Sequence, residues 1–354
     1  MVNTSLVKIA FIVGIFVQFP IYTMETNNIL LRTVDEWLDP KLKSKKRKVL
    51  EVLRDFDSKG KIEIPQKSTN EDFGFSFRPH SSFDYMCLSH IHDIKIESTQ
   101  RVSFVDLGCG LGQMSTMAVF AGARVDAVDF YEVLVKAEST IIDKIQIVIG
   151  YKSREIEDYF RALPGSILSL NANSWTQTKH DVALCSNVLH FFTGSEVIQF
   201  AYRIFDNLNR NGYLFVKTDS PFFSEGCYEF YKSQRDNANS SFPGLAVCNR
   251  QRGVDFITRI GRPVAYDEKT HSIRPGQRYA GEFTEYGFAL NNTNCCHDVS
   301  NYFLVEELVK IFENVGFHTI DKFYLTHDGI TLHEDDELPA IGRASKACAI
   351  FVKL

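Results

Sequence analysis

Residues 102–112 read VSFVDLGCGLG, an apolar run that ends in an aspartate and three alternating glycines. Glycines directly after a strand let the backbone lie close to a bound molecule. Gly108, Gly110 and Gly112 do not have the G-x-G-x-x-G spacing of dinucleotide-binding turns. Asp106, just before the first glycine, would also repel a pyrophosphate. Both features weigh against a bound dinucleotide.

A second set of reactive side chains lies in CSNVLHFF, residues 185–192. His190 belongs to the only residue type that changes charge near neutral pH without perturbation, so it is a candidate general base. Asp219, after the fifth predicted strand, faces the same edge of the sheet and is the second candidate. Each also has a structural interpretation, His190 as a residue that packs or caps the strand end and Asp219 as a turn residue.

Alternating strand and helix patterns position these residues. Helices are predicted over Gln113–Ala121, Tyr131–Ile145, 152–163, a segment that begins at the capping-box sequence Thr193-Gly194-Ser195-Glu196, and Phe303–Phe317. Strands are predicted over Val102–Leu107, Arg124–Asp129, Ser166–Leu170, Asp181–Ser186, Tyr213–Thr218, Thr319–Leu325 and Ala347–Leu354. Repeated strand–helix units predict an α/β fold with a doubly wound, mostly parallel sheet.

The chain is divided by these patterns into five parts. They are an apolar leader or targeting segment (1–23), an N-terminal helical extension (24–100), an α/β core (101–218), an insertion after strand five (219–300) and the C-terminal part of the core sheet (301–354). The insertion is rich in Phe, Tyr, Asn and Gly and shows no steady period, so we expect it to lie over the functional edge of the sheet.

From about residue 80 to residue 354, the sequence resembles the class I S-adenosylmethionine (SAM)-dependent methyltransferases. The resemblance rests on VDLGCGLG, an acid at the end of the next strand, the Asn211-Gly212 turn before strand five, and the helix EELVKIFENVGF followed by two strands. It implies a seven-stranded sheet whose last strand is antiparallel, and SAM as the cofactor. The alternatives for the turn are a dinucleotide site and a degenerate core that binds nothing.

The resemblance also implies a set of cofactor-binding residues. They are Asp106, Gly108, Cys109, Gly110, Gly112, Asp129, Phe130, Asn171, Ala172 and Asn187. Asp106 would bind the ammonium group of SAM directly or through water. Asp129 would accept hydrogen bonds from the ribose hydroxyls, and Phe130 would pack on the adenine. Asn171-Ala172 match the "Asp-Ala" pair that the family places at the adenine edge, with Asn keeping an acceptor and losing the charge.

The methyl acceptor is expected to be an oxygen or nitrogen of a small molecule. "Ser-Asn-Val-Leu-His" looks like small-molecule methyltransferases, and the insertion would act as the substrate lid. Candidate substrate contacts are Arg78, His80 and Tyr85 before strand one, and Tyr228 in the insertion. The alternatives are a protein methyltransferase and a catalytically silent SAM-binding module.

Composition limits the classes of partner and compartment. A net charge of -5 weighs against a dedicated nucleic-acid binder. Eight scattered cysteines are expected to be reduced, which favours a cytoplasmic protein. Residues 9–22 are apolar but shorter than the ~20 residues that span a bilayer, so they are either a targeting or membrane-associating segment or a leader before a start at Met24. Cys295-Cys296-His297-Asp298 lacks a second ligand pair, so no metal site is expected; the oligomeric state is left open.

Overall fold

The computed structural model describes residues 34–59, 81–97, 101–110, 112–129, 142–150, 159–168, 175–192, 194–236, 265–267, 272–274, 302–332 and 338–354. Several predicted features lie outside these residues: the leader 1–23, the site residues Arg78, His80, Phe130, Asn171 and Ala172, and the sequence Cys295-Cys296-His297-Asp298. Within the described residues, no helix is long and apolar enough to cross a membrane, and no three potential metal ligands lie together.

The strands form one main sheet and a small hairpin. They are β1 Ser103–Leu107, β2 Arg124–Asp129, β3 Phe160–Pro164, β4 His180–Ser186, β5 Leu208–Asp219, β6 Ala265–Asp267, β7 Ser272–Arg274, β8 His318–Leu325, β9 Thr331–Leu332 and β10 Lys346–Val352. The main sheet has the order β3-β2-β1-β4-β5-β10-β8-β9, and β6 pairs with β7. Strands β1 to β5 are parallel, whereas β10 is antiparallel to both of its neighbours.

Helices cover both faces of this sheet. They are α1 Lys46–Lys59, α2 Ser82–Glu97, α3 Gln113–Phe120, α4 (142–149), α5 Gly194–Asn207, α6 Glu225–Asp236 and α7 Val305–Glu313. Phe104 of β1 packs in the same buried cluster as Phe83 of α2 and Met117 of α3. Its neighbour Val105 packs with Phe200 of α5 on the other face. Because side chains alternate along a strand, two apolar layers bury the sheet, which confirms the doubly wound fold.

The N-terminal segment packs into the first of these layers. Val34, Trp37 and Leu38 are fully buried there. The backbone N–H of Asp39 donates to the carbonyl of Phe120 at the end of α3, at 2.9 Å. The carboxylate of Asp39 then caps the following 3₁₀ helix, Pro40–Lys45, by accepting from the N–H of Lys41. Residues 34–53 therefore pack against the core.

The third strand is where the sequence prediction is wrong. The sequence predicts the end of a helix at residues 160–163, but they form β3, and residues 166–168 of the predicted strand are not in a strand. Phe160 and Leu163 pair with β2 in parallel register. This strand has only five residues and lies at the edge of the sheet, where a terminal proline is tolerated because no further hydrogen bond is required. A segment this short does not distinguish helical from strand periodicity.

The end of the fold is close to the prediction, with three differences. The strand around Tyr213 is longer, Leu208–Asp219, and Asn211 adopts φ 62° inside it, where the register against β4 shifts. The final helix is shorter than predicted, Val305–Glu313, and Gly316 follows it with φ 115°. An added two-residue strand, β9, makes the sheet eight-stranded rather than seven-stranded.

The cysteines differ in part from the expectation that all are reduced. Cys87, Cys109, Cys185 and Cys348 are free thiols. Cys227, in α6, is disulfide-bonded, so the expectation is wrong at this residue. Burial raises the pKa of the Cys87, Cys185 and Cys348 thiols well above their usual range, so these three stay protonated and unreactive.

Candidate functional site

The carboxyl ends of β1 and β4 meet at the point where the strand order reverses. From β1 the chain proceeds to β2 and β3 on one side, and then to β4 and β5 on the other. In open α/β sheets, ligands bind in the crevice at this switch point. The glycine turn follows β1 there, and residues 187–192 follow β4. The predicted catalytic and cofactor residues of these two segments therefore lie at one edge of the sheet.

The glycine turn is held by the end of β2. The N–H groups of Gly108 and Cys109 both donate to the carbonyl of Val128, at 2.8 and 2.9 Å. Gly108, Gly110 and Gly112 have φ values of 80°, 57° and 75°, a backbone conformation that favours glycine. Cys109 between them is half-buried. Gly112 is the N-cap residue of α3, so the turn leads directly into the helix N-terminus.

Gly108 has a close neighbour from the protein itself. A Cβ added there would lie 2.2 Å from Cγ2 of Val188, a residue of the segment after β4. Glycine at this position thus lets the β4 segment close over the turn. From the sequence, glycine at position 108 was expected to make room for a bound ligand. Contact of Gly108 with the cofactor stays a prediction.

We expect Gly108→Ala to lower the free energy of unfolding by about 2–4 kcal/mol, because it adds an overlap with Val188 to the strain of a positive φ. Gly150→Ala is the matched control, since Gly150 has φ 75° and a Cβ added there would meet only Nζ of Lys45, at 3.4 Å; this substitution should cost about 1 kcal/mol. Urea unfolding of both variants measures the difference. Adding Val188→Ala to Gly108→Ala should recover part of the loss, and equal costs for the two glycines would contradict the contact.

Asp129 is the last residue of β2 and lies beside the glycine turn. Its Oδ2 accepts the N–H of Gly110 at 3.0 Å. The side chain is buried, yet it comes from the strand end that borders the switch point. The hydrogen bond fixes the carboxylate next to the turn, and contact of Asp129 with a ribose stays a prediction.

Asp106 is the more unusual of the two acids. It is 3% exposed, and Oδ2 accepts a hydrogen bond from the Ser115 hydroxyl of α3 at 2.7 Å. Burial raises the pKa of Asp106 to about 7; the Ser115 hydrogen bond opposes the rise, and the charges of Asp129 and Asp84 add to it. A positively charged group beside Asp106 would therefore be stabilised.

The two predicted general bases are brought together. His190 is buried in a 3₁₀ turn, Leu189–Phe191, and its Nδ1 lies 3.6 Å from Oδ2 of Asp219 at the end of β5. Lys346, which is opposite Asp219 in the β5–β10 register, donates its Nζ to Asp219 Oδ1. The sequence did not point to Lys346, because a lysine at the start of a strand carries no local signal.

Comparisons with known proteins give remote likenesses. No protein-family model and no curated protein matches the chain. Among solved structures, it is similar to the magnesium protoporphyrin IX methyltransferase of Synechocystis PCC 6803 with bound S-adenosylhomocysteine (14% identity, 77% of this chain and 83% of that one, TM-score 0.42). It is also similar to a glycopeptide N-methyltransferase complexed with SAM (10% identity, 75% and 93%, TM-score 0.40). A third is 1,6-didemethyltoxoflavin-N1-methyltransferase of Burkholderia thailandensis, with bound 1,6-didemethyltoxoflavin and S-adenosylhomocysteine (11% identity, 77% and 79%, TM-score 0.39).

The fold follows from the sheet of this chain itself. Five parallel strands with the order β3-β2-β1-β4-β5 are followed by β10, which is antiparallel and lies between β5 and β8. This is the arrangement that the sequence resemblance implied. The fold is that of a class I methyltransferase. The short strand β9 extends the methyltransferase sheet at its outer edge.

Three other predicted residues take up varied positions on the methyltransferase fold. Asn187 is exposed and has φ 57°, and its N–H donates to the carbonyl of Lys217 at 2.7 Å, so it forms the turn after β4. Tyr85 is half-buried on α2 and packs on the core. Tyr228 of α6 stacks on Phe222, with ring centroids 5.7 Å apart. The ligand contacts of these three residues stay predictions.

Sequence reasoning missed a buried ion pair behind this site. Lys217 of β5 donates its Nζ to Asp84 Oδ1 of α2 at 2.6 Å. Both side chains are buried. Asp84 belongs to the RPHSSFDY sequence whose neighbours were selected as substrate contacts, and the alternation of β5 placed Lys217 on a buried face. A lysine at an inward strand position indicates a buried partner of opposite charge, and this was the sequence signal for the ion pair.

Proposed function

We propose that this protein is a SAM-dependent methyltransferase that transfers a methyl group to an oxygen or nitrogen of a small molecule. The observation that carries the proposal is the pair of buried carboxylates, Asp106 and Asp129, at the switch point of a class I methyltransferase fold. The elevated pKa of Asp106, about 7, reflects burial and neighbouring negative charge. Such a site favours a cationic ligand and disfavours a diphosphate.

The residues present fit the cofactor group by group. SAM supplies a methyl group on a positively charged sulfur, next to an ammonium and a carboxylate. Asp106 offers a carboxylate for the ammonium, and the N-terminus of α3 behind Gly112 favours the carboxylate of the ligand. Asp129 accepts from the ribose hydroxyls, with the Gly110 hydrogen bond holding it in place. Phe130, Asn171 and Ala172 are proposed to contact the adenine.

The acceptor side of the site is assigned to the ends of β4 and β5. His190 is proposed to take the proton that the acceptor oxygen or nitrogen loses, and Asp219 to stabilise the imidazolium that results. Asn187, in the turn after β4, is proposed to support the cofactor through its backbone or side chain. Arg78, His80, Tyr85 and Tyr228 are proposed to contact the substrate, with the insertion 219–300 as the lid that excludes water.

The central test is the affinity for SAM of wild-type protein and of Asp129→Ala, measured by titration calorimetry. Loss of hydrogen bonds to a charged acceptor should cost about 1.5–3 kcal/mol, which is roughly a 10- to 150-fold rise in Kd. Asp129→Asn keeps an acceptor and should lose less. Asp143→Ala removes an exposed carboxylate from α4 and serves as the control for net charge, with no change in Kd.

The acceptor is identified in a second step. Release of S-adenosylhomocysteine is measured with a metabolite extract and, separately, with a peptide library. Turnover of metabolites alone supports the proposal, whereas turnover of peptides alone would assign the protein to the protein methyltransferases. No binding of SAM by the wild-type protein, or an unchanged Kd in Asp129→Ala, would reject the cofactor assignment.

A further inference from the structure

The carboxylate of Asp219 lies between a lysine and a histidine that come from two other strands. Asp219 is the last residue of β5. Its Oδ1 accepts a hydrogen bond from Nζ of Lys346, the first residue of β10. Its Oδ2 lies 3.6 Å from Nδ1 of His190, in the turn after β4. Because the two contacts use different oxygens of one carboxylate, the lysine fixes the orientation in which this carboxylate faces the imidazole.

The start of β10, which carries Lys346, is held by hydrogen bonds on both sides. Lys346 is opposite Asp219 in the register with β5 and opposite Leu325 in the register with β8. The N–H of Ser345, the residue before it, donates to the carbonyl of Leu325 at 2.8 Å. The carbonyl of Ser345 accepts the N–H of Ser220, which follows Asp219, at 3.1 Å. The place of Lys346 beside Asp219 is therefore set by the pairing of three strands.

The backbones that carry Asp219 and His190 are fixed in the same way. The carbonyl of Asp219 accepts the N–H of Phe303 at 3.0 Å. The turn that leads to His190 is tied to β5, since the N–H of Asn187 donates to the carbonyl of Lys217 at 2.7 Å. The spacing of lysine, carboxylate and imidazole thus depends on the sheet and on these hydrogen bonds between segments.

Partial burial makes the charges of these three side chains matter to one another. The side chains of His190, Lys346 and Asp219 are 8%, 19% and 22% exposed. Away from bulk water, charges a few ångströms apart interact more strongly. A carboxylate beside an imidazole favours the protonated imidazolium, whereas a lysine bound to that carboxylate offsets its charge. Lys346 therefore opposes protonation of His190 through Asp219.

The other charged groups at this edge of the sheet belong to different contacts. Lys217, two residues before Asp219 on β5, is paired with Asp84 of α2 at 2.6 Å. The two acids of the proposed cofactor site are hydrogen-bonded to α3 and to the glycine turn. They are Asp106 and Asp129. The charges that the described contacts place next to His190 are those of Asp219 and, behind it, Lys346.

We propose that Lys346 is a positioning residue on the acceptor side of the site, which holds the Asp219 carboxylate against His190 and offsets its charge so that the imidazole is neutral near pH 7. This inference rests on the proposed function, in which His190 takes a proton from the acceptor. A neutral imidazole can take that proton, whereas an imidazolium cannot. Without Lys346, the unopposed carboxylate would favour the imidazolium, and a smaller fraction of the protein would hold a usable base.

The first test follows the imidazole itself, by NMR titration of the full chain with isotope-labelled histidine and without SAM. The signal of His190 is the one that is missing in His190→Asn. Lys346→Met should move the titration midpoint of His190 to higher pH, and Asp219→Asn, which leaves Lys346 unopposed, should move it to lower pH. Each shift is expected to be on the order of 0.5–1 pH unit. The double variant and Lys346→Arg should both stay close to the wild-type midpoint.

A purely structural role of Lys346 predicts a different result. Lys346→Met would then lower the thermal midpoint of unfolding and leave the titration of His190 unshifted, which would overturn this inference. Lys322→Met is the matched control, because it breaks an exposed pair on β8, with Nζ 3.9 Å from Glu306 Oε1. Lys322 is opposite Ala349 in the register with β10, so this variant should not move the midpoint of His190.

The second test is the pH dependence of kcat, measured by release of S-adenosylhomocysteine at saturating SAM and acceptor. In Lys346→Met, the acid limb should move with the NMR midpoint, so kcat at pH 6.5 should fall roughly 3- to 10-fold and recover at pH 9. An NMR shift without a matching shift in kcat would overturn the assignment of His190 as the base. Failure of the wild type to bind SAM would overturn the proposed function, whereas unshifted NMR midpoints with SAM still bound would overturn the role of Lys346 alone.

Discussion

Asparagine in place of His190 is expected to lower kcat by a factor of roughly 10²–10⁴, the usual contribution of a general base. The imidazole is buried at the carboxyl end of β4, 3.6 Å from the Asp219 carboxylate, which is itself held by Lys346. In the proposed reaction SAM would supply the methyl group, His190 would take the proton that the acceptor loses, and Asp219 would stabilise the imidazolium that forms. Single-turnover measurements at saturating SAM isolate this step.

The His190→Asn substitution should slow the chemical step without weakening the binding of SAM. Because His190 is assigned to the acceptor side, the Kd of SAM should stay within about twofold of wild type, as expected for a residue that acts only in the transition state. His318→Asn, on the exposed end of β8, is the matched control and should have no effect. Asp219→Asn should give a smaller loss of kcat, since it removes only the opposing charge. A wild-type kcat in His190→Asn would mean that His190 only packs the strand end.

The parts of the site that could be predicted are those formed by consecutive residues of the sequence. The glycine turn and its helix are consecutive residues, and the strand that ends at Asp129 has the predicted bounds. A strand end followed by glycines has few alternatives, because positive φ values at three positions exclude most residue types. His190 and Asp219 could likewise be placed at one edge, since parallel strands end on the same side.

The ion pairs beside these residues were not predictable from the sequence, because they join segments far apart in the chain. Lys217 and Asp84 are 133 positions apart, and Lys346 and Asp219 are 127 apart. Each pairing depends on the register of strands whose order in the sheet differs from their order in the sequence. A lysine at an inward position signals only that some partner must exist, since an unpaired buried charge is costly.

The misplaced third strand shows a second limit. Phe160–Pro164 is an edge strand that pairs only with β2, so its sequence needs no long alternating pattern. A Pro-Gly pair follows its first four residues, and such a pair ends a helix as readily as a strand. Pairing with β2 makes this segment a strand rather than a helix, and that pairing cannot be read from a single sequence.

The affinity for SAM is expected to rise with pH up to about pH 7 and then level off. Burial raises the pKa of Asp106 to about 7 in the protein without ligand, whereas we propose that it binds the ammonium group as a carboxylate. Below pH 7 a proton must therefore be released on binding, and Kd should increase roughly 25-fold between pH 7.5 and pH 5.5. Calorimetry in buffers of different ionisation enthalpy measures both the Kd and the number of protons released.

The same group determines how stability depends on pH, with the opposite sign. Its pKa is raised from 3.8 in a solvent-exposed reference to about 7 in the fold. The folded protein therefore binds more protons than the unfolded chain between about pH 4 and pH 7, and Asp106 contributes a free energy of unfolding that falls as pH rises through this window. Asp106→Asn should flatten both curves, while its isosteric amide still accepts from Ser115. An unchanged pH dependence of Kd in Asp106→Asn would show that another group carries the proton, whereas flattening of both curves assigns binding and stability to one buried carboxyl group.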